Sequence, residues 1–351
     1  LVSEQSAATR TTGPWLRRLL AILKVVVPAV IVVWLVWSSW PDVMKLRRHS
    51  LDFGLLGLAL VLLFLAQVVT ICRWHWLVRA LGLRFRFREA FRLGMLAYLL
   101  NFVSLGSVGG DLFKAFFIAR DQPGRRFDAV ATVLADRVIG LLALMATASL
   151  AIVSIEFEDT QGHIAVLAQV VFGATVAAGV CVPLGLLLGL ISHRAARFYA
   201  RIPVVGGLVE RVLSVMQRYA RQPGVLLAAA AVSLLGQVLN CLSVYCCSQA
   251  IFVDTPTAVE HLFIVPLSDL AGALPLSPSG LGSFELAFSL LWGAAPSTTG
   301  EAAHGVATGG VVVALAHRLT QVVIAIVGAG IYLTSRREVA EALEAAEAET
   351  E

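Results

Sequence analysis

Ser104-Leu-Gly-Ser-Val-Gly-Gly-Asp-Leu-Phe-Lys-Ala-Phe-Phe117 sets a glycine-rich, non-helical segment inside an apolar region and follows it with a short charged helix. Leu274-Pro-Leu-Ser-Pro-Ser-Gly-Leu-Gly-Ser-Phe-Glu-Leu-Ala-Phe288 repeats the arrangement in the second half of the chain. Polar backbone at membrane depth persists only where it is buried in protein or lines a wet cavity. Interrupted segments of this kind mark binding sites in membrane proteins built from repeats. The two stretches therefore predict two re-entrant loops around which the remaining helices are arranged.

The rest of the chain supports a membrane setting. It is 58% hydrophobic and 14% charged, against roughly 25% charged in soluble domains, and its mean hydropathy is +0.83. Several apolar runs reach the ~20 residues that cross a bilayer. The net charge of +4 follows from where the basic residues lie, and no nucleic-acid partner is expected. The five cysteines (Cys72, Cys181, Cys241, Cys246, Cys247) fall in apolar runs without a CxxC pair and are read as small buried hydrophobes.

Residues 1–18 are polar and basic and form an N-terminal tail. The first apolar run, Leu19–Trp40, lacks a small-residue cleavage site and reads as a retained anchor, with Trp34, Trp37 and Trp40 as an interfacial belt. Further spans are expected at about 51–72, 127–154, 163–191, 223–252 and 303–334. Between the second and third spans, residues 90–105 and the short helix after Asp111 form one re-entrant hairpin. The second hairpin covers about 258–296. Arg73, Arg79, Arg84, Arg86, Arg88 and Arg92, interleaved with Trp74, Trp76, Phe85 and Phe87, are expected to lie on anionic headgroups. Glu156, Glu158 and Asp159 form an acidic turn. The spacing of Val209, Val212, Met216 and Tyr219 predicts an interfacial helix over 208–221. An acidic tail, 335–351, ends the chain. The fold class is all-α and polytopic, with six full transmembrane helices and two re-entrant hairpins.

Loop charges set the orientation. With both hairpins returning to their own side, 22 of the 27 Lys and Arg residues fall in segments on one side, together with both termini. The opposite side holds Lys45, Arg47 and Arg48. Both termini are thus expected in the cytoplasm, and the protein in the cell (inner) membrane. An internal repeat is visible as well. Leu65-Ala-Gln-Val-Val69 resembles Leu235-Gly-Gln-Val-Leu239 at an offset of 170, and Gly109 and Phe113 match Gly280 and Phe284 at 171. Leu134-Ala-Asp-Arg137 resembles Leu315-Ala-His-Arg318 at 181. The halves, about 51–155 and 223–334, read as inverted repeats.

Charges within spans cost roughly 2.5–3.5 kcal/mol each and normally face an interior or a cavity. The candidates are Asp111, Lys114, Asp136, Arg137, Glu285 and Arg318, with Gln67, Gln237, Asn240, Asp269 and His317 as polar neighbours. Lys114 and Glu285 occupy equivalent repeat positions with opposite charge and are candidates to pair across the hairpin tips. Arg137 and Arg318 suit bidentate phosphate binding or, alternatively, serve as structural partners of Asp136, Asp111 or Glu285. Asp136 and Arg137 are adjacent, so on a helix their partners lie on other elements. Gly109, Gly110, Gly280 and Gly282 are helix-start glycines whose N–H groups favour an anion, although Asp111 or Ser283 could cap those donors instead. P-loop, HExxH, GxSxG and metal-spaced His/Cys patterns are not present, so neither catalysis nor a cofactor is expected.

Gly109-Gly-Asp-Leu-Phe-Lys114, Leu134-Ala-Asp-Arg-Val-Ile-Gly140 and Pro275-Leu-Ser-Pro-Ser-Gly-Leu-Gly-Ser-Phe-Glu285 together resemble the flippase-like membrane family typified by the transmembrane portion of lysylphosphatidylglycerol synthases. Ser279 replaces a glycine usual in the last motif, and Lys114 stands where arginine is common. The resemblance spans roughly 50–335 and makes 19–334 a flippase-like transmembrane domain. It implies translocation of an anionic, aminoacylated or polyprenyl-linked lipid, without synthase activity. Headgroups would enter a cavity between the hairpin tips, held by Arg137, Arg318, Lys114 and the glycine N–H groups, with Asp136 and Glu285 balancing charge. Two rivals are a non-catalytic membrane partner of a separate glycosyltransferase or lipid-modifying enzyme, and an enzyme acting on a lipid phosphate.

Overall fold

The computed structural model describes residues 51–103, 108–155, 162–191, 206–274, 280–298 and 309–348. The first span, the acidic turn and the loop cores Ser104–Ser107 and Pro275–Ser279 lie outside them. The described residues are helical, without strands: α1 (Phe53–Ala80), α2 (Phe87–Val103), α3 (Val108–Arg120), α4 (Arg126–Ser154), α5 (Gly162–Ile191), α6 (Gly206–Ala220), α7 (Pro223–Ile251), α8 (Ala258–Ala273), α9 (Ser283–Gly293) and α10 (Gly309–Ala348). A single 3-10 turn, Pro296–Thr298, follows α9. Four described helices are long and apolar enough to cross a membrane: α1, α4, α7 and the Gly309–Gly330 part of α10. Within α5 the described apolar stretch is shorter, Val166–Val182.

α1 and α7 form the central pair and run antiparallel. Asp52 caps α1, its Oδ1 accepting from the N–H groups of Gly54 (2.8 Å) and Leu55 (3.1 Å). Its own N–H donates to the Ala250 carbonyl at the far end of α7 (3.2 Å). At the opposite end, Gln222, just before α7, donates to the Ala80 carbonyl (2.7 Å), and the Tyr219 hydroxyl donates to that of Leu77 (3.1 Å). Nearer the Asp52 end, Ser243 Oγ donates to the Ala59 carbonyl (2.8 Å). Close approach is possible because small residues face the partner. A Cβ on Gly236, for example, would already touch Val69 at 3.4 Å.

Two short helix pairs pack around this centre, α2 with α3 and α8 with α9. Each is closed at its base by side chains. In the first, Gln122 donates to the Arg84 carbonyl (2.8 Å) and Glu89 accepts from the Arg86 N–H (3.0 Å). In the second, Thr257 and Glu260 form a capping box, and the same buried carboxylate accepts from the Ser297 N–H (2.9 Å) and hydroxyl (2.6 Å). Glu260 thereby joins the start of α8 to the end of α9. The packing has a pairwise order. α2 lies against α10 and α8 against α4, while α3 abuts α4 and α9 abuts α10. Each contact that α1–α4 make with one another has a counterpart within α7–α10.

Two boundaries differ from the sequence expectation. α1 continues past Cys72 to Ala80, which carries Arg73 and Trp74 into the protein, with Trp74 fully buried. The basic-aromatic stretch is therefore split: Trp74 and Phe85 pack in the core, whereas Trp76 and Phe87 are exposed. The apolar-polar alternation Leu83-Arg84-Phe85-Arg86 had the appearance of a surface because its arginines are outside and its apolar partners inside. α10, in turn, runs past the expected span end at 334 to Ala348, so the described part of the Ala/Glu-rich tail is helical, one of the two forms, solvated helix or disorder, that its composition allows.

Candidate functional site

The intramembrane charges are held in specific pairs. Asp136 on α4 accepts from Arg73 Nε on α1 (2.7 Å), and Arg73 Nη1 donates to Ser233 Oγ on α7 (3.0 Å). All three are buried. Arg137, on the adjacent face of α4, pairs with Asp111 on α3. The two neighbours thus find partners on different helices, as their positions require. Lys114 is buried 3.8 Å from Asp111, with its ammonium 5.2 Å from the Trp74 ring centroid.

In the second half, Glu285 on α9 is fully buried and accepts from Arg318 Nε on α10 (2.9 Å) and from the Gly282 N–H (2.7 Å). Arg318 also donates to Gln321 Oε1 (2.9 Å) and stacks 5.1 Å above the Phe284 ring. Glu285 therefore pairs with Arg318 rather than with Lys114. Each short helix after a loop presents an acid to the arginine of the following long helix.

Two of the helix-start N–H groups are already used. Gly110 donates to Asn101 Oδ1 (2.9 Å) and Gly282 to Glu285. The glycines themselves are required by crowding. A Cβ on Gly110 would lie 2.3 Å from the Ala97 carbonyl oxygen, and one on Gly280 2.3 Å from that of Gly272. Gly280 also has φ +66°, where an L side chain is strained. Ser283 does not cap α9. Its hydroxyl donates instead to the Gly280 carbonyl (3.0 Å).

A polar cavity of about 240 Å³ opens where α1 and α7 cross at mid-length. Gln67 and Gln237 line it, as do Thr70 and Asn240, Ala66 and Gly236, and Leu63 and Ser233. Each pair is separated by 170 positions, the offset of the α1/α7 repeat. Tyr98 on α2 and Asp269 on α8 stand 171 apart, and Gly140 on α4 and Gln321 on α10 stand 181 apart. Only Arg73 among the lining residues lacks a counterpart in the wall. The ten charged and glycine candidates are not in the lining. Several stand directly behind it: Asp136 holds Arg73, and Arg318 holds Gln321. A Cβ on Gly140 would meet the Arg73 guanidinium at 3.2 Å, so this glycine makes room for it.

Arg73, Tyr98, Thr70, Ser233 and Gln321 escaped the sequence reading. The first lay in a stretch assigned to the surface, and the others are ordinary helix residues by type. For Thr70 and Tyr98 the one signal was the repeat. Applying its offsets to Gln67, Asn240 and Asp269 selects Gln237, Thr70 and Tyr98.

Helices of membrane-spanning length, a polar cavity at mid-helix and arginine-carboxylate pairs around it define an α-helical membrane module. The chain matches the family described as the lysylphosphatidylglycerol synthase TM region over residues 21–330, and it belongs to that family. No curated protein matches it.

Proposed function

We propose that this protein carries lipid headgroups across the bilayer through the cavity at the α1/α7 crossing, while the acyl chains remain in the membrane. The observation that carries this reading is the cavity itself. It is polar, it lies at the middle of two antiparallel helices, and its walls are contributed in pairs by the two halves. A volume of about 240 Å³ corresponds to roughly eight liquid waters, enough for a compact headgroup but not for acyl chains. Membership in a family named for a phospholipid synthase's membrane region points to a lipid cargo. An anionic, aminoacylated or polyprenyl-linked lipid is the proposed substrate class.

In this reading the molecule has six spans and two re-entrant hairpins in inverted repeats. The antiparallel course of α1 and α7 and the exchange of contacts between α1–α4 and α7–α10 support that plan. The membrane domain covers 19–334, between an N-terminal tail (1–18) and a C-terminal tail (335–351), both on the cytoplasmic side of the inner membrane. Asp136 and Arg318 act by positioning Arg73 and Gln321. Gly109, Gly110, Gly280 and Gly282 shape the loop bases, Glu285 and Asp111 neutralise the arginines, and Lys114 balances the charge of Asp111. Arg137, whose side chain is 43% exposed, meets the headgroup phosphate outside the cavity.

The test is lipid movement in proteoliposomes carrying fluorescent-headgroup lipids, with a membrane-impermeant quencher outside. The wild type should expose inner-leaflet label faster than empty vesicles. A Gln67→Leu/Gln237→Leu variant with an unchanged unfolding temperature should not. A wild type indistinguishable from empty vesicles for anionic, zwitterionic and cationic headgroups alike overturns the reading.

A further inference from the structure

The cavity contains two ionisable side chains of opposite charge, and they are held differently. Arg73 on α1 is neutralised by Asp136 of α4 at 2.7 Å. Asp269 on α8 has no such partner among the described residues. Its Oδ2 accepts from the side-chain amides of Asn240 (2.9 Å) and Gln237 (3.5 Å) on α7. Among the described residues no lysine or arginine reaches it in an ion pair. Arg318 on α10 acts on it only through space and is bound to Glu285 of α9 at 2.9 Å. The remaining titratable groups facing it are neutral in type: the Tyr98 phenol on α2, its repeat counterpart, and the Cys241 thiol on α7. Asp269 is only partly buried, and it opens onto the cavity.

A carboxylate at membrane depth is costly without a cation, and it sheds that cost by taking a proton. Asn240 and Gln237 suit either form, because an amide offers N–H donors to the carboxylate and a carbonyl acceptor to the carboxylic acid. Arg73, committed to Asp136 and Ser233, is not available as a counter-ion. We propose that Asp269 is a proton-binding site and that its protonation is coupled to headgroup movement through the cavity. The proton is taken from water when the cavity faces one side, giving a neutral carboxylic acid. It is returned to water when the cavity faces the other side, restoring the carboxylate. One proton crosses per cycle and no other bond is made or broken. The coupling rests on the lipid movement proposed above, whereas the proton site does not.

Infrared difference spectroscopy of the purified protein in lipid nanodiscs, titrated with pH, tests the site directly. The wild type should show a protonated-carboxyl C=O band that is lost in Asp269→Asn. Asn240→Ala removes a donor to the carboxylate and should move the midpoint to higher pH. A spectrum unchanged by Asp269→Asn, or a midpoint unmoved by Asn240→Ala, overturns the site. If Asp269→Asn does not fold, the Asn240→Ala shift decides alone. For the coupling, the pH profile of lipid movement should follow the infrared midpoint in both wild type and Asn240→Ala. A profile that stays in place while the midpoint moves overturns the coupling. A wild type that moves no lipid removes the transport reading together with the coupling, and the infrared result still judges the proton site.

Discussion

Glu285, itself fully buried, accepts from Arg318 and from the Gly282 N–H. Replacing it by alanine takes the carboxylate from the mostly buried Arg318 guanidinium, and removing one member of a buried pair costs about 3–5 kcal/mol. Glu285→Ala should therefore lower the unfolding temperature in detergent sharply. Glu285→Leu/Arg318→Met, which removes both charges, should recover most of the loss. A double variant as unstable as the single one would mean that the pair is not what holds α9 to α10. The glycines make a second, purely steric prediction. Gly280→Ala forces a Cβ into the Gly272 backbone at positive φ and should destabilise by about 1–3 kcal/mol. Gly57→Ala, with open space around it, should be neutral or slightly stabilising through helix propensity. Equal melting curves for the two would contradict the described backbone of the second loop.

At the level of elements, the second helix pair depends on one carboxylate. Glu260 closes the capping box with Thr257 and receives both donors of Ser297, so it fastens the start of α8 to the end of α9. Glu260→Ala leaves buried donors unpaired, at about 1–3 kcal/mol. The loss should be local, because α8 remains packed on α4 and α7. Hydrogen exchange read by mass spectrometry should show faster exchange in the first turn of α8 and around Ser297, with α1 and α7 unaffected. Uniformly faster exchange would instead make Glu260 part of the global core. Thr257 and Glu260 have the Thr-x-x-Glu spacing of a capping box, a pattern that the sequence reading passed over. The reach across to Ser297 had no local signal, since the two residues stand 37 positions apart.

For the whole molecule, the repeat is the feature from which position can be predicted. Gln67 and Gln237 lie in the cavity, while Leu65, two residues away, points outward and is 44% exposed. In a cysteine-free background and intact membranes, Gln67→Cys and Gln237→Cys should react with a small water-soluble thiol reagent, and Leu65→Cys should not. Reaction at Leu65→Cys with none at the two glutamine positions would turn the central helix pair inside out.

Composition and run length were sufficient for an all-helical membrane protein, because a bilayer leaves few ways to satisfy the backbone and demands about twenty apolar residues per crossing. The offsets of 170 to 181 positions were equally legible, since they are read from residue identities alone. Partner choice was not. Arg73 reads as a headgroup-facing arginine until α1 is seen to carry it inward against Asp136. Lys114 and Glu285 read as a pair until Arg318 is seen to reach Glu285 first. An ion pair forms between whichever side chains the packing brings within reach, and crossing geometry is a property of helices from distant parts of the chain. The charged residues were visible in the sequence, but only the tertiary structure decided which of them face the cavity and which hold its walls.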